Sequence, residues 1–387
     1  MSAAPASRAA RQPAGAEDPD QRLLRIFLEL VRIDSPSGCE SEIASYVVEQ
    51  LRSIGVRTYI DDSAYEADSD TGNVIGELKA TAPGMTLVLC AHLDTVEPGR
   101  GVEPVVKDGI VSSSDKTILG ADDKAGVAAI IEALRRLEET GAPHGCVRVL
   151  LTVGEERGLK GAKALKPKDA AGDLCLVLDA DGRPGGIVTC APTHYTFSAT
   201  FHGRAAHAGV EPEKGISAVQ MASRAIASMQ LGRIDEDTTA NIGQLSGGGA
   251  TNVVASSCHI TGECRSLDPV RVEAVRQDMD DAMRAAAAGL GGKVTIAWTK
   301  EYDGFQFSDS DPALLMVEEA VRALGLHVRK FRTGGGSDGN VLAAKGLPSL
   351  VLSSGMTNVH GTDETLAVHD LHSLVSLLLA VIARATR

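Results

Sequence analysis

The sequence predicts an α/β fold with a mostly parallel central sheet, together with a smaller α+β domain inserted into it. Short apolar runs alternate with helical patterns over residues 19–178 and again after residue 309, as in chains that build helix-covered parallel sheets. From about residue 192 the order becomes strand, helix, strand, helix, strand, which is typical of a small sheet with helices on one face. The length of 387 residues suits two or three domains.

Apolar spacing predicts the individual elements. In the first stretch we expect helices over residues 19–30, 41–54 and 125–137, and strands over residues 86–91, 147–153 and 174–178. In the middle stretch we expect strands over residues 195–201, 252–265 and 294–299, and helices over residues 215–229 and 270–288. The closing stretch predicts a helix over 312–324, a strand over 347–352 and a helix over 371–383.

These elements define the expected domains. Residues 1–18 are rich in Ala, Pro, Arg and Asp, without the apolar segment of a signal peptide, and predict a disordered tail. We expect residues 19–190 and 304–387 to form one discontinuous domain, the catalytic and metal-binding one if the ligand-type residues that follow its strands converge. Residues 191–303 form the inserted domain, a small sheet with two helices on one face.

Composition excludes several classes of protein. The chain carries 38 basic and 51 acidic residues, a net charge of −13, and lacks the basic stripe of a nucleic-acid-binding protein. No apolar stretch reaches the ~18 residues expected of a membrane span, so we expect no membrane association. The seven cysteines include no Cys-x-x-Cys pair, which favours a reducing compartment and hence the cytoplasm.

Metal-type ligands follow four of the predicted strands. One strand leads into His92 and Asp94, the next into Glu155 and Glu156, and a third into Asp179 and Asp181. His360 comes shortly after the fourth strand. Because ligands bind outside the carboxyl ends of parallel strands, we expect these side chains to converge. The sequence alone leaves Asp179 and Asp181 as alternatives.

Each of these residues has an ordinary explanation when it is taken alone. Asp122 and Asp123, for example, precede a helix, where acids favour the positive end of its dipole. Together, two histidines and several acids predict a site for Zn²⁺, with Co²⁺ or Mn²⁺ as alternatives. The excess of acids suggests two metals bridged by a carboxylate. Adjacent Glu155 and Glu156 point apart, so one can bind metal while the other serves as general base.

At these residues the sequence resembles a known family. The motifs are Ala-His-Leu-Asp-Thr-Val (residues 91–96), Leu-Gly-Ala-Asp-Asp-Lys-Ala-Gly (119–126), Gly-Glu-Glu (154–156), Asp-Ala-Asp-Gly (179–182) and His-Gly-Thr-Asp-Glu (360–364). They resemble the dinuclear zinc exopeptidase and deacylase family, which includes peptidase T, carboxypeptidase G, aminoacylases and succinyl-diaminopimelate desuccinylase. The resemblance covers residues 20 to 385 and is greatest to the peptidase T-like branch.

The resemblance implies a zinc-exopeptidase catalytic domain and an inserted lid that often forms a homodimer. It implies that His92 and Asp179 bind one zinc, Glu156 and His360 the other, and that Asp122 bridges them. Its implied general base is Glu155, with Asp94 orienting His92. The residues that the resemblance places at substrate are His207, which often acts from the other subunit, Asn252, Arg265, Gly335 and Ser337.

One departure bears on the substrate. Peptidase T has an arginine just before its Gly-Gly-Thr-Asp-Gly motif, whereas Gly334 precedes the matching residues 335–339 here, and Arg332 lies two positions earlier. A bidentate arginine–carboxylate contact is not easily replaced. This departure argues against strict tripeptide specificity. The activity that the resemblance implies is metal-dependent amide hydrolysis of short peptides, as in tripeptide aminopeptidases of the peptidase T type. The alternatives are N-acyl-amino-acid deacylation or carboxypeptidase action on the same scaffold, and a non-catalytic binding protein.

Overall fold

The computed structural model describes residues 17–114 and 116–386. The predicted disordered tail lies, up to residue 16, outside these described residues. The described chain divides into two compact units. The larger unit contains residues 17–188, 308–331 and 337–386, and the inserted unit contains residues 189–307 and 332–336. Residues 332–336, which the sequence reading placed with the catalytic domain, thus group with the inserted unit.

The first half of the chain alternates helices and strands. Its elements, in order, are α1 (Pro19–Arg32), α2 (Ser41–Ser53), β1 (Arg57–Ile60), α3 (Ala64–Ala67), β2 (Val74–Leu78), β3 (Leu87–His92), β4 (Val105–Lys107), β5 (Ile110–Ser112), α4 (Ala121–Thr140), β6 (Val147–Thr152), α5 (Lys160–Ala164), β7 (Leu174–Ala180) and β8 (Gly186–Ala191). The predicted strands at 86–91, 147–153 and 174–178 correspond to β3, β6 and β7.

The middle of the chain forms a five-stranded antiparallel sheet with two helices. Its elements are β9 (Thr193–His202), a short 3-10 helix (Pro212–Lys214), α6 (Ala218–Ser228), β10 (Gly232–Asp235), β11 (Thr238–Gly247), β12 (Ser257–Ser266), α7 (Pro269–Gly289), β13 (Lys293–Tyr302) and β14 (Phe305–Gln306). The strand order is β10-β11-β12-β9-β13, and both helices contribute to one apolar core with this sheet. The sequence reading missed β10 and β11, and it began β12 five residues too early.

The last part of the chain completes the larger unit. Its elements are α8 (Pro312–Ala323), β15 (Arg329–Arg332), α9 (Asp338–Ala344), β16 (Ser349–Ser353), β17 (Met356–Thr357), β18 (Thr365–Ala367) and α10 (Val368–Ala385). By length and composition α10 could cross a membrane, yet half of it is buried inside the protein. Its Leu371, Leu374 and Leu378 are fully buried, as expected for a core helix.

Three helices begin at the same two-residue signal, an aspartate followed by proline. Asp18, Asp268 and Asp311 each accept hydrogen bonds from two main-chain amides of the turn that follows. The proline in the first helical position needs no hydrogen-bond acceptor and has a φ that suits a helix. The starts of α1, α7 and α8 are therefore fixed by local sequence.

The main sheet is mixed, with a parallel centre. Seven of its strands follow the order β1-β2-β6-β3-β7-β16-β8. The central strands β6, β3, β7 and β16 are parallel, whereas β1, β2 and β8 pair antiparallel at the two sides. The predicted α/β class is confirmed. Because β3, β6 and β7 run the same way, their carboxyl ends meet at one edge of the sheet, where ligands bind in such folds.

Candidate metal centre

The three parallel strands bring acids and a histidine to one edge of the sheet. His92 is the last residue of β3, and Asp179 is the next-to-last residue of β7. Glu155 lies in the turn that follows β6. The apolar residues before them are buried, so each strand is anchored in the core and presents its ligand-type residue at a defined height.

Within the part of the chain that the structure describes, two groups of three side chains could each hold a metal ion, and they share His92. One group adds Asp122 and Glu156, the other adds Asp123 and Asp179, and in each the ligand atoms lie within 4.8 Å of one another. The two carboxylate oxygens of Asp122 face different histidines. Its Oδ1 is 3.1 Å from His92 Nε2, and its Oδ2 is 3.2 Å from the Nε2 of His360.

His360 reaches this group from a loop between two short strands. Its Nε2 lies 2.9 Å from Glu156 Oε1. Its main chain has φ 66°, in the left-handed region that few residues other than glycine adopt. Such conformations cluster at functional sites, where the surrounding structure holds them. The contacts with Glu156 and Asp122 are the interactions that direct this side chain toward the acids.

The structure separates the two aspartates at the end of β7. Asp179 Oδ1 lies 3.8 Å from His92 Nε2 and belongs to a ligand group, whereas Asp181 is exposed and belongs to neither. Asp123 was not among the predicted site residues. It is fully buried, and its carboxylate accepts hydrogen bonds from the main-chain amides of His92 and Gly126. Its place beside Asp122 was visible in the sequence only as a possible helix cap.

Asp94 supports the loop of two glutamates more directly than it supports His92. The resemblance implies that its side chain orients the histidine, but His92 Nδ1 is closer to the main-chain carbonyl of Asp94, at 2.8 Å, than to its carboxylate, at 3.5 Å. The carboxylate accepts the amides of Glu155 and Glu156 at 3.0 and 3.1 Å and the hydroxyl of Ser37 at 2.6 Å. Asp94 therefore fixes the turn that carries the predicted base.

Glu364 is a second supporting acid, which sequence reasoning quoted in a motif without assigning it a role. Its side chain is buried, and its two oxygens accept the main-chain amides of Gly120, at 2.7 Å, and Asp122, at 3.0 Å. These bonds fix the backbone where Asp122 enters the site. Burial raises the pKa of Glu364 to about 7.

The charges of this cluster do not balance among its own residues. Burial, and then the nearby Glu155 and Asp122, raise the pKa of Asp179 well above its usual range. Burial also raises the pKa of Glu155, although His92 opposes it and Asp338 adds to it. Hydrogen bonds to Asp122 and Glu156 raise the pKa of His360 to about 10. Excess negative charge is what a bound cation would offset.

Asp338 is a further buried acid that the sequence reading did not select. It begins α9, accepts the hydroxyl hydrogen of Thr152, and has a second carboxylate oxygen without a hydrogen-bond partner among the described residues. Burial raises its pKa to about 6. The preceding Ser337, a predicted substrate contact, caps the same helix by accepting the amide of Gly339 at 3.2 Å.

The inserted unit holds the other predicted substrate residues. His207 and Asn252 are exposed and lie on adjoining segments, because the amide of Ala208 donates to the carbonyl of Asn252 at 2.9 Å. Arg265 pairs with Glu263 and also donates to the carbonyl of Gly334 at 3.4 Å.

The glycine-rich segment that follows includes the last predicted contact. The amide of Gly335 donates to the hydroxyl of Thr333 at 3.1 Å. Arg332, the possible substitute for the missing arginine, forms an ion pair with Asp237 at 2.5 Å. Its guanidinium is therefore already engaged by an acid of its own unit.

Two family models match the chain. A peptidase dimerisation domain matches residues 193–290, and peptidase family M28 matches residues 73–228. The chain is 42% identical to the uncharacterized protein YqjE of Bacillus subtilis (strain 168), over 95% of this chain and 99% of that protein. The matched dimerisation domain is that of the M20 peptidases, and relatives of 40% identity or more cover almost the whole chain, so the chain belongs to the M20 peptidase family. It is accordingly a metallopeptidase, and the predicted resemblance is confirmed.

Two solved peptidase structures share this fold, and their sequence identity to this chain is close to that of the Bacillus subtilis protein. Aminopeptidase PepT from Bacillus cereus ATCC 10987 is 40% identical, with a TM-score of 0.89 over 95% of this chain and 98% of that one. A tripeptidase from Staphylococcus aureus is also 40% identical, with a TM-score of 0.90 over 94% and 98%. The chain is thus a PepT-like member of the M20 family.

Proposed function

We propose that this chain is an aminopeptidase of short peptides, of the tripeptidase type, that works with two divalent metal ions. The observation that carries the proposal is the pair of ligand groups that share His92 beside a separate buried glutamate, Glu155. The likeness to an aminopeptidase and a tripeptidase at 40% identity supports the same reading.

The residues present fit two divalent ions. We assign His92 and Asp179 to one ion, Glu156 and His360 to the other, and Asp122 to both, because its two oxygens face the two histidines. The donors are oxygen and imidazole nitrogen without thiolate, a set that suits catalytic Zn²⁺ and also Co²⁺ or Mn²⁺. When bound, such ions lower the pKa of a water molecule and polarise a carbonyl oxygen.

Glu155 is the proposed general base. It would take the proton of the water that attacks the scissile carbonyl, and then return this proton to the leaving amine. Its burial, which raises its pKa, keeps the carboxylate basic enough to hold the proton between the two steps. The hydrogen bonds from the Glu155 and Glu156 amides to Asp94 hold the base in one position during this exchange.

A substrate panel tests the proposal. We expect the zinc-loaded enzyme to hydrolyse tripeptides with a free amino group much faster than the same peptides with an acetylated amine. N-acyl amino acids should be poor substrates. A preference for N-acyl amino acids over every free-amine tripeptide would contradict the aminopeptidase assignment while leaving metal-dependent amide hydrolysis intact.

A second candidate function is N-acyl-amino-acid deacylation or carboxypeptidase action, because the glycine-rich segment lacks the arginine expected of the tripeptidase type. Gly334 stands where the resemblance places an arginine, and Arg332 is paired with Asp237. A peptide carboxylate would then lack the expected bidentate contact from this segment. The same substrate panel separates the two functions.

We further propose a homodimer formed through the inserted unit, with His207 acting at the partner's site. The match of residues 193–290 to a peptidase dimerisation domain supports the assembly. Mixing inactive His207→Ala with inactive Glu155→Gln tests it, because a mixed dimer would contain one complete site. Recovered activity would support action across subunits, and its absence would count against it.

The proposed location is the cytoplasm. The seven cysteines are all free thiols, which is the state expected in a reducing compartment.

A further inference from the structure

A cleft of about 470 Å³ in the larger unit is lined by basic side chains that the proposed function does not use. Three segments form it: the loop between β7 and β8, the residues leading into β15, and the first turn of α10. They contribute two guanidinium groups and two imidazoles, from Arg183, His327, Arg329 and His369. The chain as a whole has a net charge of −13, whereas the cleft has two arginines and one acid among its described lining residues.

One acid, Asp370, is present among the described residues that line the cleft, and it is already engaged. Its carboxylate is 8% exposed and accepts from Arg183 Nε at 3.2 Å. The same carboxylate oxygen lies 2.9 Å from His369 Nε2, which Arg183 also contacts. Asp370 therefore positions Arg183 and His369, and one carboxylate does not neutralise the whole set.

Arg329 is exposed and has no acidic partner among the described residues. Its guanidinium carbon lies 5.0 Å from the ring centre of Phe331, which supports the planar group from one side. It also approaches the main chain of Gly182, because a Cβ there would lie 2.7 Å from Arg329 Nη2. Gly182 has φ +87°, so glycine serves both the turn and this close approach.

We propose that this cleft binds a small molecule bearing a phosphate group. A phosphomonoester carries about −1.5 to −2 charges at pH 7 and three acceptor oxygens, which suits several converging N–H donors. Asp370 offsets the charge of Arg183, so the guanidinium of Arg329 is the cation left in the cleft for an acidic ligand, and the imidazoles can add neutral N–H donors. The cleft volume lies within the ~300–1,000 Å³ of small-molecule sites, so it has room for the rest of such a ligand.

Calorimetry with the zinc-loaded enzyme tests this site, with glycerol 3-phosphate as the probe and glycerol and succinate as comparison ligands. We expect saturable binding of glycerol 3-phosphate, weaker binding of succinate and none of glycerol. Arg329→Gln should weaken phosphate binding by roughly tenfold or more, the usual effect of losing a charge-assisted hydrogen bond to a phosphate. Thermal melting of this variant checks that it is folded.

Arg224→Gln is the matched control. It removes the same charge from an exposed position on α6, outside the cleft, and should bind the probe as the wild type does. A crystal soaked with the probe should place the phosphate beside Arg329. Three results would each overturn the proposal. They are equal affinity in folded Arg329→Gln and wild type, tighter binding of succinate than of glycerol 3-phosphate, and a crystal in which the phosphate lies only at the zinc-loaded metal centre.

Discussion

Both units of this protein combine acids with histidine, but their charges balance differently. In the inserted unit, Glu263 lies 2.8 Å from His194 and 2.6 Å from Arg265, so one acid has two basic partners. In the larger unit, acids outnumber the histidines around one site, whose members are His92, His360, Asp94, Asp122, Asp123, Glu155, Glu156 and Asp179. In the first cluster the negative charge of the acid is balanced by basic side chains. In the second the negative charges exceed the positive ones, and bound cations would offset them.

The pKa values express this difference. The hydrogen bond from His194, and further contacts with Arg265, lower the pKa of Glu263 to about 2 despite its partial burial. Burial and neighbouring acids instead raise the pKa of Asp179 and Glu155. A buried acid with a lowered pKa has its partners within the chain, whereas a group of buried acids with raised pKa values indicates a missing positive charge.

The largest effects are expected when the two adjacent glutamates, Glu155 and Glu156, are changed separately. We expect Glu155→Gln to keep its metal and lose at least ~10²-fold in rate, because a general base contributes on that scale. Glu156→Gln should instead lose metal, since Glu156 belongs to a ligand group. Elemental analysis and tripeptide hydrolysis measure the two effects. Near-normal turnover by Glu155→Gln would refute its role as base.

A smaller effect is expected where an acid acts through the backbone. Glu364→Gln replaces two accepting oxygens with one oxygen and one donating amide, so the amides of Gly120 and Asp122 can no longer both be satisfied. We expect metal affinity to fall ~10–100-fold, as for other residues that support ligands. Asp363→Asn, an exposed neighbour, is the control. Unchanged metal affinity in Glu364→Gln would show that Asp122 needs no such support.

The smallest effect belongs to the balanced cluster. The pKa of Glu263 is lowered in the folded state, so its stabilising contribution is present above the unfolded-state pKa of ~4.3 and is lost as pH falls toward about 2. The wild type should therefore lose its advantage over Glu263→Gln across that range. Thermal unfolding measures the difference, which we expect to be no more than ~1 kcal/mol for a partly exposed pair. A difference that does not change with pH would contradict this assignment.

Sequence reasoning selected residues that the structure brings together, because the ends of strands are visible in a sequence. His92 and Asp179 directly end apolar runs, and parallel strands bring such ends together. The supporting roles of Asp94 and Glu364 were not predictable in this way. They depend on which main-chain amides point at each carboxylate, and this is set by loop geometry rather than by residue type.

The strands that were not predicted, β10 and β11, lack a regular pattern of buried residues. Most of β11 and β10 is exposed or half-buried, so apolar residues do not alternate with polar ones along them. Glycines at 243 and 247 weaken the strand pattern further. By contrast, β9 alternates buried residues such as Phe197 and Phe201 with more exposed ones, and its predicted range was correct to within two residues.

A metal titration tests most directly whether the residues around His92 bind two metal ions that the activity requires. A chelator-treated enzyme is titrated with Zn²⁺ or Co²⁺ while bound metal and tripeptide hydrolysis are measured together. We expect the stripped enzyme to be inactive, to bind two ions per chain and to regain activity as they bind, and we expect His360→Ala to bind fewer ions. Full activity in the stripped enzyme, or no binding of metal by the acids around His92, would contradict it.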